Sequence, residues 1–169
     1  MVDVLLVEDT STQAIIMQQM LISAGQSVQI KKSAEDALSF LESEKPSIIL
    51  TDINLPEMDG YEMSRKIKAD PSLKDVPVVL LVALKNRDEI VEIIESNADS
   101  FMLKLLRKDY FIPTFQEILK NTRDSANPVT AAIKIEGKEI YCRPQNILNM
   151  LLSCVDIVVN QQRQTVDSK

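Results

Sequence analysis

The stretch that decides the fold is Ile48-Ile49-Leu50-Thr51-Asp52-Ile53-Asn54-Leu55-Pro56-Glu57-Met58-Asp59-Gly60. Its first three residues are apolar and rich in β-branched side chains, which is typical of a buried strand. The strand leads to Asp52, although burying an isolated carboxylate is costly. In open parallel sheets, ligands bind just beyond the carboxyl ends of the strands. We therefore predict that Asp52 lies at a ligand site, in front of a loop containing Pro56 and Gly60.

Apolar strand patterns alternate with helical patterns through the first 124 residues. This alternation predicts βαβ units and a parallel sheet with helices on both faces. We expect an α/β, flavodoxin-like, doubly wound (βα)5 fold with strand order 2-1-3-4-5, an order taken from the fold type and not from the residues. The predicted strands are Val2–Val7, Val28–Ile30, Ile48–Leu50, Val78–Val82 and Phe101–Leu103.

Capping residues predict where the helices between these strands begin. Thr10 with Gln13, and Asn86 with Glu89, have the spacing of a capping signal. Two further N-caps are predicted at Ser33 and Asp59. Pro113 is best tolerated in the first turn of a helix, so the last helix of this region is predicted to begin near residues 109–113.

Two strands that neighbour each other in this fold end in acidic residues. Glu8 and Asp9 follow the first strand, and Asp52 ends the third. Three carboxylates in one pocket repel each other unless a cation lies among them, and such oxygen ligands suit Mg²⁺ or Mn²⁺. Acidic residues also stabilise helix N-termini. That simpler interpretation fits Glu8 and Asp9 but does not account for Asp52.

The pattern Asp-x-x-Leu-Pro-x-Met-Asp-Gly, from Asp52 to Gly60, resembles the phospho-acceptor segment of the receiver domains of bacterial response regulators. The resemblance extends from residue 1 to about residue 122. It implies that Asp52 accepts a phosphoryl group with the help of Mg²⁺ (or Mn²⁺). The other site residues that it implies are Glu8 and Asp9 as metal ligands, Asn54 as a metal ligand through its backbone carbonyl, and Lys104 as the contact to the phosphoryl oxygens.

Three positions depart from the family pattern. Val82 stands where the family has Thr or Ser, although Ala83 keeps the small residue that follows. Phe101 matches the switch aromatic, which lacks a hydroxyl here. Leu105 replaces the proline after Lys104, and a cis peptide bond before Leu would cost about 3 kcal/mol, so we expect a trans bond. These departures predict that any response to phosphorylation is weakened or rerouted.

The residues after 124 are predicted to form an appendage to the receiver domain of residues 1–124. Residues 125–130 have the composition of a linker. Residues 131–142 alternate around Gly137 and predict a β-hairpin. Residues 143–169 predict an amphipathic helix with two apolar seams, which either packs within the chain or forms a homodimer through residues 144–166. The arrangement resembles the receiver end of multidomain hybrid sensor histidine kinases, so the chain is either a fragment of one or a single-domain regulator.

Composition limits the functions that remain. The net charge is −6 and there is no basic cluster, which argues against nucleic-acid binding. The chain has no histidine, which excludes Ser-His-Asp and Cys-His catalysis. No apolar run is long enough to span a membrane and no signal peptide is evident. We therefore expect a cytoplasmic protein that does not bind membranes.

The sequence thus predicts the phospho-acceptor module of a two-component phosphorelay, without a kinase or output enzyme of its own. Its partner would be a sensor histidine kinase or a phosphotransfer protein. The alternative is a pseudo-receiver, an interaction module that keeps the fold and works without phosphate. A Mg²⁺-dependent phosphatase is disfavoured, because such enzymes usually have a second Asp two residues after the first as general acid, where this chain has Asn54.

Overall fold

A computed structural model describes residues 2–83, 88–123, 131–135 and 138–142. Five parallel strands form one sheet in the order β2-β1-β3-β4-β5, which confirms the predicted fold and strand order. The strands are β1 Val4–Val7, β2 Val28–Lys31, β3 Ile48–Asp52, β4 Val78–Val82 and β5 Ser100–Leu103.

Strand β3 is two residues longer than its apolar run predicts. Thr51 and Asp52 continue the pairing with β4, opposite Leu80 and Leu81. The carboxylate of the predicted ligand site is therefore part of the sheet and not of the loop that follows it.

Five helices connect or follow these strands: α1 Ser11–Ser23, α2 Ala34–Leu41, α3 Gly60–Ala69, α4 Asp88–Glu95 and α5 Lys108–Arg123. Two predicted caps are confirmed. The Ser33 hydroxyl accepts a hydrogen bond from the Asp36 amide at 3.1 Å, and the Asp59 carboxylate accepts one from the Glu62 amide at 2.7 Å. The capping signal predicted at Asn86 lies outside the described residues.

At two other helices, one feature of the predicted start differs in the structure. Thr10 occupies the N-cap of α1, but its side chain caps no helix amide. Instead, its hydroxyl donates to Asp9 Oδ1 at 3.1 Å. Helix α5 begins at Lys108, which places Pro113 in the second turn. The start lies earlier because the amides of Tyr110 and Phe111 both donate to the carbonyl of Arg107.

The sheet divides the core into two apolar layers. Alternate residues of a strand point to opposite faces, so Leu5, Val7 and Ile49 pack against α2, α3 and α4. Val4, Leu6 and Leu50 pack against α1 and α5. All residues of β1, β3 and β4 are buried. Both faces of the sheet are thus covered, and its carboxyl edge remains available to ligands.

The predicted hairpin is present after this fold. Strands β6 Ala131–Ile135 and β7 Lys138–Cys142 pair in antiparallel register, with Ile133 opposite Ile140. The turn at Gly137, the linker of residues 125–130 and the amphipathic helix of residues 143–169 lie outside the described residues. Within the described part of the chain, none of the helices combines the length and apolar character needed to cross a membrane.

A buried ion pair joins α3 to the residue that precedes β5. It lies at the amino edge of the sheet, opposite the edge with the acidic residues. Lys68 Nζ pairs with Asp99 Oδ2, and both side chains are largely buried, at 9% and 12% exposure. Asp99 also accepts the Val78 amide at 2.8 Å. Lys68 donates to the carbonyl of Val76 at 2.7 Å. Removing the charge of one partner would leave the other charge buried and uncompensated.

Asp99→Asn is therefore expected to lower the free energy of unfolding by about 3 kcal/mol, because it keeps the shape but removes the charge that faces Lys68. Urea unfolding measures this loss. The matched control is Glu62→Ala, which breaks a half-exposed pair with Lys66 and should cost less than about 0.5 kcal/mol. Equal effects of the two substitutions would contradict a structural role for the buried pair.

Candidate functional site

The predicted acidic residues meet at the carboxyl edge of the sheet. Strands β1 and β3 are parallel neighbours in register, with Val7 opposite Thr51. The residues that follow these positions are therefore brought together. One carboxylate oxygen from each of Glu8, Asp9 and Asp52 lies within 4.8 Å of the others. Such a group of oxygen ligands is able to hold a divalent cation.

Burial differs sharply among the three carboxylates. Glu8 is completely buried and Asp52 is 4% exposed, whereas Asp9 is exposed. Two charges removed from water at one edge require a positive partner. Asp9 supplies a third carboxylate from the solvent side.

Lys104 provides the positive charge. Its Nζ lies 2.8 Å from Asp52 Oδ2 and 2.8 Å from Glu8 Oε2. The residue follows β5 directly, and its amide donates to the carbonyl of Val82 at the end of β4 at 2.8 Å. The backbone of Lys104 is thus held at the ends of β4 and β5, and its side chain extends across the sheet edge to Asp52 in β3 and Glu8 after β1.

The pKa values of this pair of groups reflect burial and pairing. Burial raises the pKa of the Glu8 carboxyl, and the hydrogen bond from Lys104 offsets only part of that effect. Burial lowers the pKa of the Lys104 ammonium, but its hydrogen bonds to Asp52 and Glu8 outweigh burial, so its pKa lies above the usual value. Lys104 therefore remains charged at neutral pH and provides a fixed cation for the site.

Both oxygens of Asp52 have partners. Oδ1 accepts the amide of Ile53 at 2.9 Å, and Oδ2 accepts from Lys104 at 2.8 Å. The Thr51 hydroxyl donates to the backbone carbonyl of Asp52 at 2.9 Å. The carboxylate is consequently held in one orientation at the end of its strand.

The remaining residues predicted for the site lie around this cluster. Asn54 is exposed in the loop that follows Asp52. Val82 is fully buried and Phe101 is 2% exposed, both in the apolar layer against α2, α3 and α4. Ala83 is exposed immediately after β4. Among the described residues there is no cis peptide bond, so the bond before Leu105 is trans, as expected.

Thr10 belongs to the site, which the sequence did not predict. Its amide donates to Glu8 Oε1 at 3.2 Å, and its hydroxyl donates to Asp9 Oδ1. The available signal was a threonine directly after two acidic residues. A threonine at this place also predicts a helix cap, because helix N-caps favour the same residue type.

A protein-family model matches the part of the chain that contains this site. Residues 4–115 match the response regulator receiver domain. The chain belongs to the response regulator receiver domain family. The matched residues contain the whole five-stranded sheet and the candidate site, and they end before the hairpin.

Individual proteins of the family are similar to the chain. The transcriptional regulatory protein ZraR of Klebsiella oxytoca is 34% identical over 130 residues, which cover 76% of this chain and 29% of that protein. The chain thus spans less than a third of the length of this curated relative.

Solved structures of receiver and response regulator proteins are also similar to the chain. The signal receiver domain of a signal transduction histidine kinase from Syntrophus aciditrophicus has 29% identity and a TM-score of 0.67, covering 79% of this chain and 100% of that domain. The phosphorylated cyanobacterial phytochrome response regulator RcpA has 26% identity and a TM-score of 0.63, covering 76% of this chain and 99% of that protein.

Gly60 holds the start of α3 against the end of β3. A Cβ atom at this position would overlap the carbonyl oxygen of Asp52 and would lie 3.0 Å from Ile53 Cα. The Gly60 amide donates to the Ile53 carbonyl at 2.9 Å. The receiver segment therefore requires glycine here because two backbones approach closely beside the candidate acceptor.

Gly60→Ala is expected to destabilise the protein by about 2 kcal/mol and to shift the NMR signal of the Ile53 amide, because the added methyl group pushes α3 away from Asp52. The control is Gly25→Ala. Gly25 has φ 81° and no atom within 4 Å of an added Cβ, so only its backbone strain of about 1 kcal/mol should appear. An unshifted Ile53 amide in Gly60→Ala would contradict the close approach.

Proposed function

We propose that the chain is the phospho-acceptor module of a two-component phosphorelay, with Asp52 as the acceptor. The observation that carries this proposal is the convergence of two buried carboxylates, one exposed carboxylate and one paired lysine at a single edge of the sheet. A structural role alone would not account for so many charges there, since an apolar edge would be less costly. The similar regulator RcpA is known in a phosphorylated form, which supports the proposal that this chain is phosphorylated.

The carboxylates fit a hard divalent cation. Glu8, Asp9 and Asp52 would hold Mg²⁺ or Mn²⁺, with Asn54 adding its backbone carbonyl as the receiver family implies. When bound, the ion neutralises charge on the incoming phosphoryl oxygens. Thr10 supports the ligands, because it donates to both Glu8 and Asp9 and so limits their orientations.

The chain's own residues would carry out the transfer. A free oxygen lone pair of Asp52 attacks phosphorus in line with the phosphoryl donor, and a new P–O bond forms to the carboxylate. The bond from phosphorus to the donor nitrogen breaks, and its electron pair stays on the imidazole of a phosphohistidine in the partner protein. Lys104 Nζ lies 2.8 Å from Asp52 Oδ2, so its ammonium would bind the phosphoryl oxygens once they are attached to Asp52.

The partner would be a sensor histidine kinase or a phosphotransfer protein in the cytoplasm, because this chain contains no histidine to supply the phosphoryl group. The similar receiver domain from Syntrophus aciditrophicus is part of a histidine kinase. We propose that this chain is either such a receiver segment or a separate regulator. In both cases residues 1–124 form the receiver domain, and dimerisation through residues 144–166 remains a prediction.

One observation favours a pseudo-receiver as the second candidate. Val82 is buried at the end of β4 and cannot donate a hydrogen bond to a phosphoryl group. Its backbone carbonyl nevertheless accepts the amide of Lys104. The site therefore keeps the residues for transfer but lacks the hydroxyl that would report it, and we infer that the response is weak or follows another route.

Incubation with acetyl phosphate and Mg²⁺ is expected to add one phosphoryl group, measured by intact mass. Asp52→Asn should abolish the gain, because the amide is not a nucleophile for this transfer. Asp59→Asn is the matched control, since Asn also caps a helix and Asp59 only caps α3; it should be phosphorylated like the wild type. A wild-type chain that gains no phosphate would favour the pseudo-receiver.

The missing hydroxyl generates a separate prediction. Beryllofluoride, which mimics the phosphoryl group, should cause small NMR shifts between residues 82 and 101 in the wild type. Val82→Thr should enlarge them, because it places a donor at the end of β4 with nearly unchanged shape. Val82→Ala, which adds no donor, should leave them small. Large wild-type shifts in this range would contradict the rerouted response.

A further inference from the structure

The chain turns sharply where β5 ends, and Lys104 is at the centre of that turn. The amide of Leu105 donates to the carbonyl of Leu103 at 2.7 Å, which closes a three-residue turn around Lys104. Family members have proline after this lysine, whereas the bond before Leu105 is trans. The turn therefore lacks a proline ring, and hydrogen bonds hold it instead: the Lys104 amide donates to the carbonyl of Val82, and Leu103 is contacted from α5.

Tyr110 provides a contact at this place. Its hydroxyl oxygen accepts a hydrogen bond from the amide of Leu103 at 3.3 Å. Strand β5 is the edge strand of the sheet in the described part of the chain, so the amides that point away from β4 have no strand partner there. The tyrosine is 8% exposed, packs in the apolar layer with α1, and its own amide is bonded to the carbonyl of Arg107. It is thus a rigid acceptor fixed in the first turn of α5.

We propose that Tyr110 is a positioning residue for Lys104, because its hydroxyl fixes the Leu103 amide at the start of the turn that carries the lysine. The Leu103 amide belongs to the Met102–Leu103 peptide, so loss of the Tyr110 hydrogen bond would let this peptide rotate and would shift the turn that carries Lys104. Because Lys104 Nζ lies 2.8 Å from both Asp52 and Glu8, a small shift of this turn would separate the ammonium from its partners. This inference rests on the proposed metal and acceptor site, and it adds a residue from α5 that touches neither metal nor phosphate.

Positioning predicts effects of opposite sign on two measurements. Lys104 and a divalent cation compete for the same two buried carboxylates, so a loosened lysine should let the metal bind more tightly. The same loosening should slow phosphorylation, because the lysine no longer meets the phosphoryl oxygens. General damage to the fold would instead weaken both metal binding and phosphorylation.

The experiment measures Mn²⁺ affinity by calorimetry and the rate of phosphorylation by acetyl phosphate at saturating Mn²⁺. The variants are Tyr110→Phe, Lys104→Met and the double variant. Tyr61→Phe is the control, because Tyr61 is an equally buried tyrosine that packs on the other face of the sheet. Tyr110→Phe should tighten Mn²⁺ binding by up to about fivefold and slow phosphorylation by a similar factor. Tyr61→Phe should change neither in this pattern.

The double variant decides whether Tyr110 acts through Lys104. In the Lys104→Met background, Tyr110→Phe should have no further effect on Mn²⁺ affinity, since no lysine is left to position. An equal change in both backgrounds, or weaker Mn²⁺ binding by Tyr110→Phe, would overturn the proposal. A wild type that binds no Mn²⁺ would instead overturn the proposed metal site.

A metal-free measurement keeps the inference testable in that last case. The Lys104 ammonium protons are held by two ion pairs, so NMR should detect them exchanging slowly with water in the wild type. Tyr110→Phe should accelerate their exchange together with that of the Leu103 amide. Faster exchange at Leu103 with unchanged exchange at Lys104 would show a local structural bond only and would refute the positioning role.

Discussion

The candidate site depends on the compensation of two buried carboxylates by one lysine. Glu8 is completely buried and Asp52 nearly so, and neither charge would be tolerated at this edge without a close cation. Lys104 lies 2.8 Å from both. Any added charge at Asp52, from a metal ion or a phosphoryl group, therefore changes the balance of the whole cluster. Lys104 therefore connects a change of charge at Asp52 to the backbone at the ends of β4 and β5.

The fold explains why these groups meet. Parallel neighbours β1 and β3 place Glu8 beside Asp52, and Lys104 reaches the same point from β5 across the end of β4. The backbone of the lysine is bonded to Val82, and the residue before it is bonded to α5 through Tyr110. The site is consequently connected to β4 by a main-chain hydrogen bond and to α5 by the Tyr110 hydroxyl, although position 82 lacks the hydroxyl of typical receivers.

The alternation of strands and helices, the caps at Ser33 and Asp59, and the acidic strand ends were all predictable, because each depends on local pattern. Lys104, which follows β5, is predicted only through the family resemblance. Contacts between distant elements could not be predicted. The pair of Lys68 with Asp99 and the bond of Tyr110 to Leu103 join residues whose types have many other uses. Thr10 is the N-cap of α1, as predicted, but its hydroxyl bonds to Asp9 and not to a helix amide, and the sequence does not distinguish these two uses of a threonine.

The residues proposed for phosphoryl transfer thus lie together in this chain, whereas Val82 and Leu105 depart from the receiver pattern. We propose that Asp52 is the residue that receives the phosphoryl group. Treatment of the phosphorylated protein with borohydride converts an aspartyl phosphate to homoserine, which peptide mass spectrometry can locate. We expect homoserine at position 52 in the wild type, after incubation with a phosphoryl donor and Mg²⁺. Homoserine at another aspartate, or none after such incubation, would contradict the account.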